Sequence, residues 1–186
     1  GTGRVQEAVP VLRKALSFDP DPDVLNTLGA ALHRLGKPEE ALSSFQKAIR
    51  MAPNSPDFRY NLGNALQALQ RWPEAAEMYK KALQSRPDHA PTHNNLANVL
   101  REMGQWEEAE AEYGRAIEIR PEYADAHYNR GNLFRERGRP EEALESYREA
   151  LTIEPDYAEA HNSAGTVLHE MGRREEALEC YRQALK

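Results

Sequence analysis

Three pairs of asparagines are the residues of this 186-residue chain best suited to chemistry by recognition. Asn61 and Asn64, Asn95 and Asn98, and Asn129 and Asn132 each stand three residues apart, and the pairs recur every 34 residues. Residues three apart share one face of a helix. A primary amide carries an acceptor and two donors, so a row of amides suits the backbone of an extended peptide whatever its side chains. Tyr60 and Tyr128, each preceding a pair, add apolar contact and a hydroxyl, while Arg101 and Arg135 are placed to meet acidic side chains. The competing role is structural: the same amides can solvate a polar face or bond to one another between helices. Threefold pairing favours peptide binding.

Other reactive residue types lead nowhere so specific. His93, His127 and His161 also recur every 34 residues, but equivalent helices packed at about 10 Å cannot bring their nitrogens to the roughly 2.0–2.1 Å a zinc ion requires. They are expected to be half-buried packing residues, with no metal. Cys180 has no basic or histidine partner at a spacing that would activate a thiolate. No glycine-rich phosphate loop is present. The expectation is no cofactor and no catalysis within these residues.

The elements that must position the asparagines are written in the rest of the period. Pro53, Pro87, Pro121 and Pro155 are each 34 residues apart. Alanine precedes each by twelve (Ala41, Ala75, Ala109, Ala143), and an aromatic follows that alanine by four (Phe45, Tyr79, Tyr113, Tyr147). With the proline as position 32, full repeats span 22–55, 56–89, 90–123 and 124–157; residues 1–21 and 158–186 are partial repeats. Apolar spacing predicts two amphipathic helices per repeat, A then B. Leu25, Leu28 and Leu32 mark the buried face of the first A helix; Ala41, Phe45, Ala48 and Ile49 mark that of its B helix. Gly36, Gly104, Gly138 and Gly172 fall in the turns between A and B, and Asp21–Pro22 and Ser55–Pro56 read as helix starts. Gly29, Gly63, Gly131 and Gly165, at position 8, are expected to lie against the position-20 alanines, with the aromatics filling space towards the next repeat. Arg130, where other repeats carry an apolar residue, is expected to snorkel to a carboxylate. Pro10 should kink the first helix or begin it.

A 34-residue helix-turn-helix period repeated along the whole chain resembles the tetratricopeptide repeat family. The resemblance implies an all-α, right-handed superhelical solenoid forming a single domain over 1–186, with A helices lining the concave side. The asparagine ladder resembles that of the repeat arm of O-linked N-acetylglucosamine transferase, whose asparagines hold substrate backbone. The dicarboxylate clamp of other members does not fit, because position 2 holds Asp23, Asp57, Pro91, Asp125 and Glu159 in place of cations. The expected function is a scaffold binding an extended peptide or partner protein in its groove; the alternative is the substrate-recognition arm of a larger enzyme such as a glycosyltransferase.

Composition narrows the partners. Twenty-four basic and 30 acidic residues give a formal charge of -6, which argues against a nucleic-acid surface. No apolar run approaches the roughly 20 residues of a membrane span. The lone Cys180 excludes an intrachain disulfide and fits a cytoplasmic location. At the ends, Val5, Val9, Leu12 and Leu16, and Leu178, Tyr181 and Leu185, are expected to leave apolar faces open to end-to-end self-association.

Overall fold

The computed structural model describes residues 2–186. Helix starts follow local chemistry. Extended Asp21 accepts from the Val24 amide through Oδ1 at 2.9 Å, and Pro22 takes the first helical position, where a missing N–H costs nothing. Ser55 and Pro56 repeat the device, the Ser55 hydroxyl accepting from the Phe58 amide at 3.4 Å. A helices end on a left-handed residue: Gly36, Gly104, Gly138 and Gly172 have φ between 68° and 78°. That conformation is open to glycine because it has no Cβ. In repeat 56–89 the same place falls to Gln70, at φ 57°.

Among the described residues the chain forms eleven α-helices and no strand, an all-α helical repeat solenoid. It divides into two units at Met103. The first contains α1 (Thr2–Phe18), α2 (Pro22–Arg34), α3 (Pro38–Met51), α4 (Pro56–Ala68), α5 (Trp72–Ser85) and α6 (Ala90–Glu102). The second contains α7 (Trp106–Ile119), α8 (Ala124–Glu136), α9 (Pro140–Ile153), α10 (Ala158–Glu170) and α11 (Arg174–Ala184). Within the first unit the A helices α2, α4 and α6 approach one another within 8 Å at their Cα atoms, whereas the B helices α1, α3 and α5 do not. The A helices are thus on the inside of that unit's curve. In the second unit, α8 and α10 approach in the same way, and the B helices again stand apart.

Leu25, Leu28, Leu32, Ala41, Phe45 and Ala48 are buried as their spacing requires, with Ile49 half-buried. The small residue at position 8 has a different partner from the one its spacing suggested. A Cβ on Gly29 would stand 2.6 Å from the Phe45 ring, one on Gly63 2.5 Å from Tyr79, and one on Gly131 2.5 Å from Tyr147. In these three repeats position 8 lacks a side chain and so admits the aromatic of its own repeat, whereas repeat 90–123 carries Ala97 there. That ring fills the A–B crossing itself and also reaches the next repeat, since Tyr147 shares a core cluster with Ala164 and Val167.

Two further points are local. The first helix begins at Thr2 and contains Pro10, so it does not start there. Arg130 is half-buried and donates to the Ser146 hydroxyl at 3.3 Å, with its guanidinium 5.9 Å from the Phe134 ring centroid. Burial lowers its affinity for the proton, while Glu145, Glu110 and Glu149 oppose that shift from a distance. Its bonded partner is a hydroxyl, where a carboxylate was expected. Of the terminal apolar residues, Val5, Val9, Leu12, Leu16 and Tyr181 are half-buried, and Leu178 and Leu185 are exposed.

Candidate functional site

The A helices of the first unit are joined side by side by their amides. Asn61 Nδ2 on α4 donates to Asn26 Oδ1 on α2 at 2.9 Å. Asn95 Nδ2 on α6 donates to Asn64 Oδ1 on α4 at 2.9 Å and lies 3.4 Å from the Tyr60 hydroxyl. Asn95 Oδ1 accepts from Asn94 at 3.2 Å. A chain of amide bonds thus runs across α2, α4 and α6 through Asn26, Asn61, Asn64 and Asn95, all half-buried rather than fully exposed, and it starts at Asn26, outside the ladder expected from sequence.

A second network reaches the ladder from below. The Tyr79 side chain, on B helix α5, is fully buried, and its hydroxyl sits 2.7 Å from both Asn64 Oδ1 and Gln67 Oε1. Burial pushes its ionisation far above the ordinary phenol range. In the second unit the Tyr147 hydroxyl donates to Asn132 Oδ1 at 2.8 Å, and burial pushes that phenol up to about 12. The second member of these pairs thus serves first as the acceptor for a buried hydroxyl, a structural role not among those read from the sequence. In the pair on α4, one edge of each amide is spent and the other is not. Among the described residues Asn61 Oδ1 and Asn64 Nδ2 have no partner. Asn98 on α6 and Asn129 on α8 are half-buried at the same registers.

Tyr60 and Tyr128 are ring-packed residues and not isolated surface ones. The Tyr60 centroid lies 6.1 Å from Tyr79 and 5.2 Å from His89, and that of Tyr128 lies 5.8 Å from Tyr147 and 5.0 Å from Tyr157. Arg101 is half-buried and paired with Glu102 at 3.1 Å; Arg135 is half-buried on α8. A hollow of about 390 Å³ opens among these groups in the first unit, lined by His33, Asn64, Gln67, Ala68, Trp72 and Asn95. Sequence reasoning missed His33, Gln67 and Trp72. The available signal was register, since His33 and Gln67 occupy position 12, as do Arg101 and Arg135.

The histidine row has a structural use. Nε2 of His93, His127 and His161 lies 2.8, 2.9 and 2.8 Å from the carbonyls of Pro87, Pro121 and Pro155. A carbonyl only accepts, so the proton is on Nε2. Arg59, at the same position, donates to the Pro53 carbonyl and, at 3.1 Å, to that of Lys81. Cys180 is pushed towards the thiol by burial and by Glu176, away from nucleophilic use.

Paired helices repeating with a shared polar A face define a helical-repeat scaffold, a fold consistent with protein–protein interaction. The chain belongs to the tetratricopeptide repeat family: the family's repeat pattern matches residues 58–122, 88–154 and 124–186, and a related TPR repeat pattern matches 29–70. It is similar to a thermophilic TPR protein of Thermus thermophilus (27% identity over 89% of this chain and 90% of that one, TM-score 0.74). It is also similar to MamA (25%, 85% and 92%, 0.76). YrrB, described as a TPR protein with an unusual peptide-binding site, shares the fold (24%, 94% and 90%, 0.71). No curated protein matches the chain.

Proposed function

We propose that the amide face of the A helices binds an extended peptide or an extended segment of a partner protein. The observation that carries this reading is the half-spent state of the amides. Asn61 and Asn64 are each oriented by an internal bond, and each keeps one edge for a backbone carbonyl or N–H. Asn95 and Asn98 extend the row within the first unit, with Tyr60 packed beside it and Arg101 at the register that would meet acidic side chains; Asn129, Asn132, Tyr128 and Arg135 repeat the same set in the second unit. The peptide-binding site described for YrrB agrees in kind, although the reading rests on this chain's own residues.

The test separates recognition from folding. The protons of the buried Tyr79 and Tyr147 hydroxyls go to position-9 asparagines and not to position-6 ones, so Asn61→Ala, Asn95→Ala and Asn129→Ala together should leave the fold intact by circular dichroism. Against peptides selected from a random displayed library, the triple variant should bind at least about tenfold more weakly, since three hydrogen bonds contribute about 0.5–1.5 kcal/mol each. Undiminished affinity would overturn the proposal.

A further inference from the structure

We propose that the hollow between α2, α4, α5 and α6 is a subsite for a side-chain carboxamide, that of glutamine or asparagine, on the bound segment; this rests on the peptide-binding reading above. Its lining, His33, Asn64, Gln67, Ala68, Trp72 and Asn95, contains no lysine, arginine, aspartate or glutamate. A carboxylate or ammonium entering it would shed water without meeting an opposite charge. A purely apolar side chain would cover amide groups and leave them unpaired.

The orientation of three amides decides what fits. Asn64 Oδ1 and Gln67 Oε1 both face the Tyr79 hydroxyl and share its one proton in a three-centre bond, so each amide turns its NH₂ edge away from that hydroxyl. Asn95 spends its NH₂ on Asn64 and Tyr60, so it offers its oxygen, which has one bond at 3.2 Å and a second lone pair remaining. Two donors beside one acceptor complement a primary amide, whose carbonyl accepts from Asn64 and Gln67 and whose NH₂ donates to Asn95. Trp72 and Ala68 offer apolar surface for the methylene stem. Because the edges are held by Tyr79 and by one another before any ligand arrives, little ordering remains to be done on binding.

The probe is N-acetyl-glutamine methylamide, titrated into the intact protein and followed by NMR at the Trp72 indole N–H and the side-chain amides of Asn64, Gln67 and Asn95. It should shift these signals saturably, with the glutamate and leucine analogues at least about tenfold weaker. Gln67→Glu keeps an oxygen for Tyr79 but replaces the NH₂ edge, and it should abolish the preference while the remaining spectrum stays folded. Equal response to the leucine analogue, tighter binding of glutamate, or no saturable shift from any of the three each overturns the subsite. A displayed library that binds without favouring Gln or Asn at any position overturns the subsite and leaves the groove reading standing. A library that does not bind at all overturns the groove reading, and the titration then decides the subsite by itself.

Discussion

Repeats 22–55 and 56–89 build the same helix crossing around different rings. Phe45 lies over Gly29 with nothing polar to place, and the residue at position 9 of its repeat is Ala30. Tyr79 lies over Gly63 in the same manner, but its hydroxyl continues through the layer to position 9, where Asn64 accepts from it. In the second unit Tyr147 and Asn132 are coupled in the same way. A buried phenol needs an acceptor and a buried phenyl does not. The asparagine at that register is therefore part of the core's polar accounting first, and recognition uses the edge left over. This is why position 6, rather than position 9, carries the test of binding above.

The comparison breaks most readily at the rings. Phe45→Ala and Tyr79→Ala should each cost about 3–5 kcal/mol by urea denaturation, because both remove a fully buried ring over a glycine. Closely matched losses would show that the ring supplies most of the stability in both repeats; a much larger loss for Tyr79 would assign that excess to the hydroxyl network. A smaller effect transplants the difference. Phe45→Tyr alone should destabilise by roughly 1–3 kcal/mol, the cost of a buried hydroxyl without its acceptor, and adding Ala30→Asn should recover most of it. Failure of Asn to rescue would mean that the coupling depends on more than position 9.

The smallest effect is read with pH. Burial raises Tyr147 from its ordinary value near 10 to about 12, so the fold favours the neutral phenol. Its contribution is complete below the unfolded value and lost as pH rises through the folded one. Stability should fall between these limits, and the stability gap between the parent chain and Tyr147→Phe should narrow over the same window. Tyr79 and Tyr157 shift in the same direction, so a residual loss will remain in the variant. A gap constant up to about pH 12 would exclude Tyr147 as a source.

Much of this was legible in the residues. The 34-residue beat marked the helix pairs, and Asp21–Pro22 and Ser55–Pro56 marked two helix starts, because capping is a local matter of a few residues. The left-handed turn of repeat 56–89 was hidden, since Gln70 carries no mark of its conformation. Position 8 looked like a small residue facing a small residue, because periodicity shows which face is buried but not which atoms meet across it. The asparagine–tyrosine coupling was readable in principle: the one full repeat with phenylalanine at position 24 is also the one with alanine at position 9. The histidine bonds to proline carbonyls were not readable, because a main-chain acceptor leaves no trace in residue type.

Those last bonds say something about how such a chain can change its length. Each joins the proline that closes one repeat to a donor six residues on, at the start of the next. Both partners travel within a few residues of the same joint, so copying or deleting a whole 34-residue block by recombination delivers the fastening together with the block. A repeat gained or lost as one such block keeps this fastening at the new seam.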